Sequence, residues 1–365
     1  MKTICITGAA GYVGAMLCEQ FARRDDVGRI VAIDKEEMPE MLQDIKKIVW
    51  IQANLSDLPA GQTGGTWQEK VSSYTPSVII HTAWQIREMY GKKMLQWKWN
   101  VEGSEAVFRF AFETPGVERL IHFSTASSYG AYTTNTLEHF FAEAEGFRDE
   151  EYLYAVEKKA AEERLEKLYQ EGKKQRSMPQ VFVVRPAAIT GPRGRFMRVR
   201  FGLQSALSGQ LRESLVHRFV SLMVSWVPAT PLWCRQFIHE DDVVDIVALL
   251  AFTPQVGTYE VFNITPPGAP VLAPEMAAAV GKRVLHIQPW MARIAFFFFW
   301  HATRGKIPTS KGGWRFYSYP IVMNGTKLTD RCGYVYQYRS GDAFRYTNGR
   351  YELYVPEESR RKKTA

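Results

Sequence analysis

The sequence predicts an α/β protein built on a doubly wound parallel sheet, with a smaller C-terminal substrate domain that is discontinuous in sequence. Three observations predict it. Short apolar runs rich in β-branched residues recur through the first half of the chain, each is separated from the next by enough residues for a helix, and the alternation stops after Pro186.

The first run, Thr3–Thr7, ends in glycines and is followed by helical spacing through Phe21 and a second run at Arg29–Asp34, which together read as a β-α-β unit. Further runs lie at Ile48–Ile51, Val78–His81, Leu120–Ser124 and Val181–Arg185. Between them, Asn100–Glu113 has apolar residues at helical spacing. Glu151–Gln170 is rich in Ala, Glu, Leu and Lys and is expected to stop near Gly172. Beyond Pro186 come Gly191-Pro192, many aromatics and irregular polar stretches, while Phe237–Leu250 reads as a strand and helix returning to the main sheet. The expected division is a sheet domain over 1–186 and 236–264, a substrate-binding domain over 187–235 and 265–350, and a basic tail over 351–365.

Composition narrows the function classes. Hydrophobic residues at 46% and charged residues at 23% describe an ordinary globular chain rather than a disordered one. The net charge of +8 is spread out and partly gathered in the terminal Ser-Arg-Arg-Lys-Lys, with no zinc-finger or RNA-binding signature, so no nucleic-acid partner is expected. Cys5, Cys18, Cys234 and Cys332 form no C-x-x-C pair, and Met1-Lys2 leads directly into a strand. Both features point to the cytoplasm. No metal cluster is visible among the seven histidines, and His81, His122 and His239 read as satisfied core or edge residues. No run reaches the roughly 20 apolar residues of a membrane span. Leu215–Trp233 and Ile294–Trp300 come nearest and read as buried helices or pocket walls.

Thr7-Gly8-Ala-Ala-Gly11-Tyr12-Val13-Gly14 lies between the first strand and the first helix, where a tight turn lets backbone N–H groups approach a pyrophosphate. Gly8 permits the turn, Gly11 the close approach, and Gly14 the packing of helix on strand. Asp34 closes the second strand 20 residues after Gly14, where a carboxylate accepts hydrogen bonds from the adenosine ribose. Its charge repels a 2′-phosphate, so the expected cofactor is NAD rather than NADP. Lys35 beside it argues the other way.

Tyr154-Ala-Val-Glu-Lys158 places a phenol and an ammonium on one helix face. A free phenol titrates near about 10, and a neighbouring cation favours the phenolate. The strand ending Phe123-Ser124-Thr125 supplies hydroxyls at the carboxyl edge of the sheet, where ligands bind.

These motifs, taken in order with His81-Thr82-Ala83, Asn100-Val-Glu-Gly103, Tyr129-Gly130, Arg185-Pro186, Gly191-Pro192 and Arg235-Gln-Phe-Ile-His239-Glu-Asp-Asp242, resemble the extended branch of the short-chain dehydrogenase/reductase superfamily, the NAD-dependent epimerase/dehydratase family. The resemblance implies a Rossmann-type NAD-binding domain and hydride transfer at a substrate C–OH. It implies a catalytic set of Thr125, Tyr154 and Lys158. It implies cofactor contacts from Gly8, Gly11, Tyr12, Val13, Gly14, Asp34, Asn54, Leu55, Ala83, Asn100, Tyr154, Lys158 and Pro186, and substrate contacts from Thr125, Ser127 and Arg235. A small-molecule substrate follows, and homodimers are common in such proteins.

Departures from the family pattern shape the substrate expectation. Asn54 stands where the family often has aspartate. Ala126 and Ser127 replace the Asp-Glu pair of nucleotide-sugar 4,6-dehydratases, which argues against dehydration. Arg235 matches an arginine that grips the sugar-nucleotide diphosphate in epimerases, although Ala188 replaces their usual asparagine; a structural ion pair with Glu240 or Asp241 is the other reading. The aromatic residues Trp226, Trp233, Trp290, Phe296–Phe299, Trp300, Trp314 and Phe316 suit either a hydrophobic-alcohol pocket, as in hydroxysteroid-type dehydrogenases, or plain core packing. A non-catalytic NAD-binding regulatory protein on the same fold is the alternative from another class.

Overall fold

The computed structural model describes residues 1–57, 66–174, 177–197, 226–254, 257–279, 281–345, 349–351 and 353. The basic tail and most of the Leu215–Trp233 run lie outside the described residues. Two compact units emerge: Met1–Thr125 with Glu157–Arg185 and Val244–Phe262, and Ala126–Val156 with Pro186–Val243 and Asn263–Ala365.

The first unit carries the main sheet: β1 (Lys2–Thr7), β2 (Val27–Asp34), β3 (Ile48–Gln52), β4 (Val78–His81), β5 (Arg119–Phe123), β6 (Gln180–Pro186) and β7 (Tyr259–Ile264). Their order is β7-β6-β5-β4-β1-β2-β3, and the registers joining β3 through β6 are all parallel. The chain therefore reverses direction across the sheet between β1 and β4, the position where doubly wound folds open a ligand crevice.

Among the helices are α1 (Tyr12–Ala22), α2 (Gly103–Glu113), α3 (Leu153–Lys173), α4 (Glu240–Phe252) and, within the second unit, α5 (Pro289–Ala302). One face of the sheet, with Cys5, Val31, Ile79, Leu120 and Val181, packs against Val107, Phe108 and Ala111 of α2 and Ala161, Leu165 and Tyr169 of α3. The helical residues recur at i, i+4 spacing because they form the stripe that faces the strands. On the other side, Phe21 of α1 meets Phe252 of α4 edge to face at 5.2 Å. Both faces of β1 are buried, Ile4 and Ile6 on one and Cys5 on the other, which is why its sequence is continuously apolar.

An ion pair fixes α3 to the sheet. Arg185 of β6 donates from Nε to Glu162 Oε1 at 3.1 Å and from Nη2 to Oε2 at 2.8 Å, with both side chains 6% exposed.

The second unit holds short two-stranded pieces. Ala188–Thr190 pairs in parallel with Phe237–His239, and Trp226–Ala229 pairs in parallel with Arg283–His286. Its core gathers Val227, Trp233, Phe237, Val271 and Met276.

Two sequence expectations are corrected. Phe237–His239 does not join the main sheet: Ala188–Thr190 takes its edge, and Ser340 Oγ bonds both the N–H and the carbonyl of Phe237. The strand that returns to the main sheet is β7, after α4. Asn100 does not start α2; it lies in a widened π-helical turn, Lys98–Glu102, ahead of Gly103. The end of α3 at Lys173, beside Gly172, is where the sequence placed it, and a Cβ on Gly172 would meet the side chain of Met178.

Because removing one member of a buried pair strands the other charge, Glu162→Ala is expected to cost roughly 3–5 kcal/mol in denaturant unfolding. A loss below about 1 kcal/mol, the range of exposed pairs, contradicts that account.

Candidate active site

The glycine turn shows why each glycine stands where it does. Gly8 has φ +73°, and a Cβ there would lie 2.5 Å from the backbone nitrogen of Ala83. A Cβ on Gly14 would overlap the carbonyl oxygen of Gly8, so the first turn of α1 lies directly on the loop that precedes it. Gly11 is extended and caps α1 without any side-chain hydrogen bond, so the amino end of the helix at Tyr12 and Val13 carries no side-chain cap. Such an end favours an anion.

Asp34 closes β2 with its carboxylate half-buried. Oδ2 accepts the N–H of Ala10 at 2.9 Å and Oδ1 accepts that of Glu36 at 3.0 Å. The carboxylate thus ties the glycine turn to β2 and keeps acceptor capacity for hydroxyl donors. Lys35 is turned elsewhere, its ammonium 3.9 Å from the Trp99 ring centroid and 3.6 Å from Glu36 Oε1. Leu55 is buried against Gly103, whose Cβ would lie 3.4 Å from it. Asn54 Oδ1 accepts from both the N–H and the hydroxyl of Ser56, which uses its carbonyl in holding its own loop. An uncapped helix end, a cradle that side chains would fill and a carboxylate at the tip of β2 together fit a dinucleotide.

From β1 a buried hydrogen-bond chain runs to α3. Thr7 Oγ1 lies 2.7 Å from His81 Nδ1, His81 Nε2 lies 2.8 Å from Ser104 Oγ, and Ser104 donates to the carbonyl of Asn100. Because the serine proton goes to that carbonyl, His81 Nε2 must carry a hydrogen and Nδ1 must accept from Thr7. The imidazole is neutral, with burial and the nearby Lys158 charge pushing its pKa down to about 3. Asn100 then clamps Gln85 as a neighbouring strand would: Oδ1 accepts its N–H at 2.7 Å and Nδ2 donates to its carbonyl at 3.0 Å. The same Nδ2 lies 2.7 Å from Glu157 Oε2, which also receives Gln96 Nε2 at 3.1 Å. Burial pushes the Glu157 carboxyl up to about 6.

Lys158 follows Glu157 in α3. It is 3% exposed, donates to the carbonyl oxygen of Phe123 at the end of β5, and lies 3.6 Å from the centroid of the Trp84 ring. Burial pushes its pKa down to about 7, against the opposing pull of Glu162 and Glu157. Thr125, two residues beyond Phe123, is buried. The first unit therefore brings together the glycine turn, Asp34, Ala83, Asn100, Lys158 and the strand leading to Thr125. Sequence reasoning missed Trp84, Gln96 and Glu157. Glu157 stands inside the Tyr154-to-Lys158 motif, and its place next to Lys158 was the available signal.

Tyr154, Ser127, Pro186 and Arg235 belong to the second unit. Tyr154 is half-buried in the first turn of α3, its ring centroid 5.9 Å from that of Tyr152. Ser127 sits in a short 3₁₀ turn, Ala126–Tyr129, anchored by Tyr129 donating to Asn263 Oδ1 at 2.7 Å. Pro186 closes β6. Arg235 does not form the ion pair that the sequence allowed. The Glu240 carboxylate accepts the N–H groups of Arg193 and Gly194, and Asp241 Oδ2 accepts that of Arg350. Burial pushes the Arg235 guanidinium below its usual range, with the phenols of Tyr152 and Tyr317 nearby.

Histidine outcomes differ. His239 is buried with its ring stacked 3.9 Å from Tyr338 and Nδ1 accepting the N–H of Asp241. His122 is fully buried with no hydrogen-bond partner on either ring nitrogen, stacked on His81 at 5.3 Å, so it is not the satisfied core histidine expected. Among the described residues, no group of acidic, histidine or cysteine side chains suits a metal ion.

Solved structures share this architecture at low sequence identity. An enzyme of Bordetella bronchiseptica, WbmG, solved with NAD and UDP, is 20% identical at a TM-score of 0.65, over 93% of this chain and 91% of that one. The dTDP-glucose 4,6-dehydratase of Bacillus anthracis, solved with NAD, is 15% identical at 0.67, over 99% of each chain. UDP-glucuronic acid 4-epimerase from Bacillus cereus, solved with NAD, is 16% identical at 0.63, over 96% and 98%. No curated protein matches in sequence. The profile of one family spans residues 4–265, from the first strand through the last strand of the main sheet, and the chain belongs to that family, the NAD dependent epimerase/dehydratases, which are enzymes that work with NAD.

Proposed function

We propose that this enzyme binds NAD at the α1 end of the sheet and transfers hydride at a C–OH of a nucleotide-linked sugar, as an epimerase or dehydrogenase with Tyr154 as acid and base. The observation that carries the reading is the Lys158 ammonium, which lies one turn along α3 from Tyr154 and is bound to the carbonyl of Phe123, the residue at the tip of β5 that stands two positions before Thr125. The bound cofactor supplies the hydride acceptor. Tyr154, as phenolate, takes the proton of the substrate hydroxyl, and Thr125 donates a hydrogen bond to the same oxygen. Lys158 contributes the positive charge that holds the phenolate at neutral pH. In an epimerase the carbon regains hydride on its other face and Tyr154 returns the proton. Ala126 and Ser127 offer no carboxylate for removing water, which argues against dehydration.

Arg235 favours a diphosphate substrate. Its guanidinium is not spent on Glu240 or Asp241, and a fork of N–H donors matches phosphate oxygens. The hydrophobic-alcohol reading loses part of its support, because Trp290, Phe297 and Phe298 are more than 60% exposed and line no interior pocket. The four cysteines, three of them buried, form no disulfide with one another, which fits the reducing cytoplasm.

Mass spectrometry of small molecules released from the purified protein is expected to give NAD and a nucleoside diphosphate compound. Substrate addition without NADH accumulation marks an epimerase. Tyr154→Phe is expected to keep NAD binding and lower turnover by roughly 10²–10⁴-fold. NAD binding without turnover on nucleotide sugars or alcohols by the unaltered enzyme supports the regulatory alternative instead. Arg235→Met should raise KM for a nucleotide sugar by roughly 10- to 100-fold. An unchanged KM removes the diphosphate argument.

Glu157 tests the electrostatics. A carboxylate beside Lys158 helps hold its proton, so Glu157→Gln should let the ammonium deprotonate at lower pH. The alkaline limb of the kcat/KM profile is then expected to move to lower pH. A limb that stays in place or moves upward contradicts the assigned charge coupling.

A further inference from the structure

We propose that the outward face of α5 docks this enzyme on an anionic lipid surface. The sequence raised two readings for the aromatic run in this helix, pocket wall and core. The structure satisfies the core reading for Ala292 and Trp300, which are buried, and for the half-buried Phe296, whose ring centroid lies 5.7 Å from that of Tyr317. The opposite face is left to solvent: Trp290 is 62% exposed, Ile294 60%, Phe297 67% and Phe298 62%. At 100° per residue these four fall within one arc of about 100°. A contiguous apolar patch on a surface is a binding site by default, and Trp with Phe is the composition of interfacial helices.

Charge identifies the occupant. Between Glu275 and Asp330 the chain has no acidic residue and eight basic ones: Lys282, Arg283, Arg293, Arg304, Lys306, Lys311, Arg315 and Lys327. That surplus equals the net +8 of the whole protein. Arg283, which is exposed, precedes α5 by a few residues, and the exposed Arg304 and Lys306 follow it in the turn after Ala302. Cations at both ends of an aromatic face complement lipid phosphates at the depth where the rings insert. A second copy of the chain brings the same cations to the same face, which opposes a two-fold interface there. A nucleic acid answers the charge but not the four apolar side chains. With 14 residues, α5 is about 21 Å long, too short to span a bilayer, so the helix lies in the plane of the interface. No described helix is long and apolar enough to cross a membrane.

The test is flotation of the full-length protein with vesicles of phosphatidylcholine alone or with added phosphatidylserine. The protein is expected to float with the anionic vesicles and about tenfold less with neutral ones, and added salt should weaken the association. Replacing Trp290, Phe297 and Phe298 together with Ser should reduce flotation by about tenfold or more, with the melting temperature retained. A second readout uses a milder variant: brominated acyl chains should quench part of the tryptophan emission, and Trp290→Phe should remove that part. Absence of wild-type flotation overturns the proposal, as does undiminished flotation of the triple variant. Conversion of a dimer to a monomer by the triple substitution, without loss of flotation, assigns the face to a second copy and overturns it equally. Binding of an RNA oligonucleotide that the triple substitution abolishes, in a protein that ignores vesicles, does so as well.

Discussion

The rest of the site depends on a buried ammonium being compensated. A lysine at 3% exposure loses most of its hydration, and an uncompensated charge in that position would simply lose its proton. The first unit answers with a carbonyl from Phe123, the π face of Trp84 and the carboxylates of Glu162 and Glu157. The compensation is partial, which is why the pKa settles at about 7 rather than at the usual value. A charge balanced so closely responds to each neighbour, and a lysine near neutrality can hold or release a proton as its surroundings change.

Each compensating group is in turn held by the fold. Glu162 shares its carboxylate with Arg185, so the pair that docks α3 on β6 also supplies part of the field around Lys158. Glu157 is held by Asn100 and Gln96, and Asn100 grips the backbone of Gln85, the residue after Trp84. The ring beneath the ammonium is thus fixed through its neighbour's backbone. Asn100 makes these contacts from within the widened turn at Lys98–Glu102, its side chain reaching both the backbone of Gln85 and Glu157 of α3.

Much of this fold was legible because local chemistry and tertiary role coincide. Every strand of the main sheet through β6 was visible as an apolar run, since both faces of a parallel sheet are buried and no polar alternation interrupts them. The glycine turn was legible for a similar reason: Gly8 and Gly14 are required by backbone approaches that no other residue allows. Elements whose character is set by distant partners were not legible. Phe237–His239 has strand composition, but which edge it joins is decided by Ala188–Thr190 and by Ser340, about a hundred residues away. Glu157 has the composition of a solvated helix and is buried because Asn100 and Gln96 come to it from another segment.

The two aromatic groups of the second unit separate on the same principle. Trp233 packs with Phe237 and Val271, and Tyr129 stacks on Phe141, so sheet pairing and core contact account for them. The outward face of α5 has no such account within the described chain: its rings contact one another and His301 rather than a core. Burying apolar area is worth about 25 cal/mol per Å², so large rings left in water on one face represent free energy that folding has not recovered. Hydrophobic residues scattered singly on a surface need no explanation, but four on one helical arc, bracketed by cations and far in sequence from any carboxylate, do. The free energy left unclaimed by folding is available for association with a surface that offers apolar depth and negative charge together.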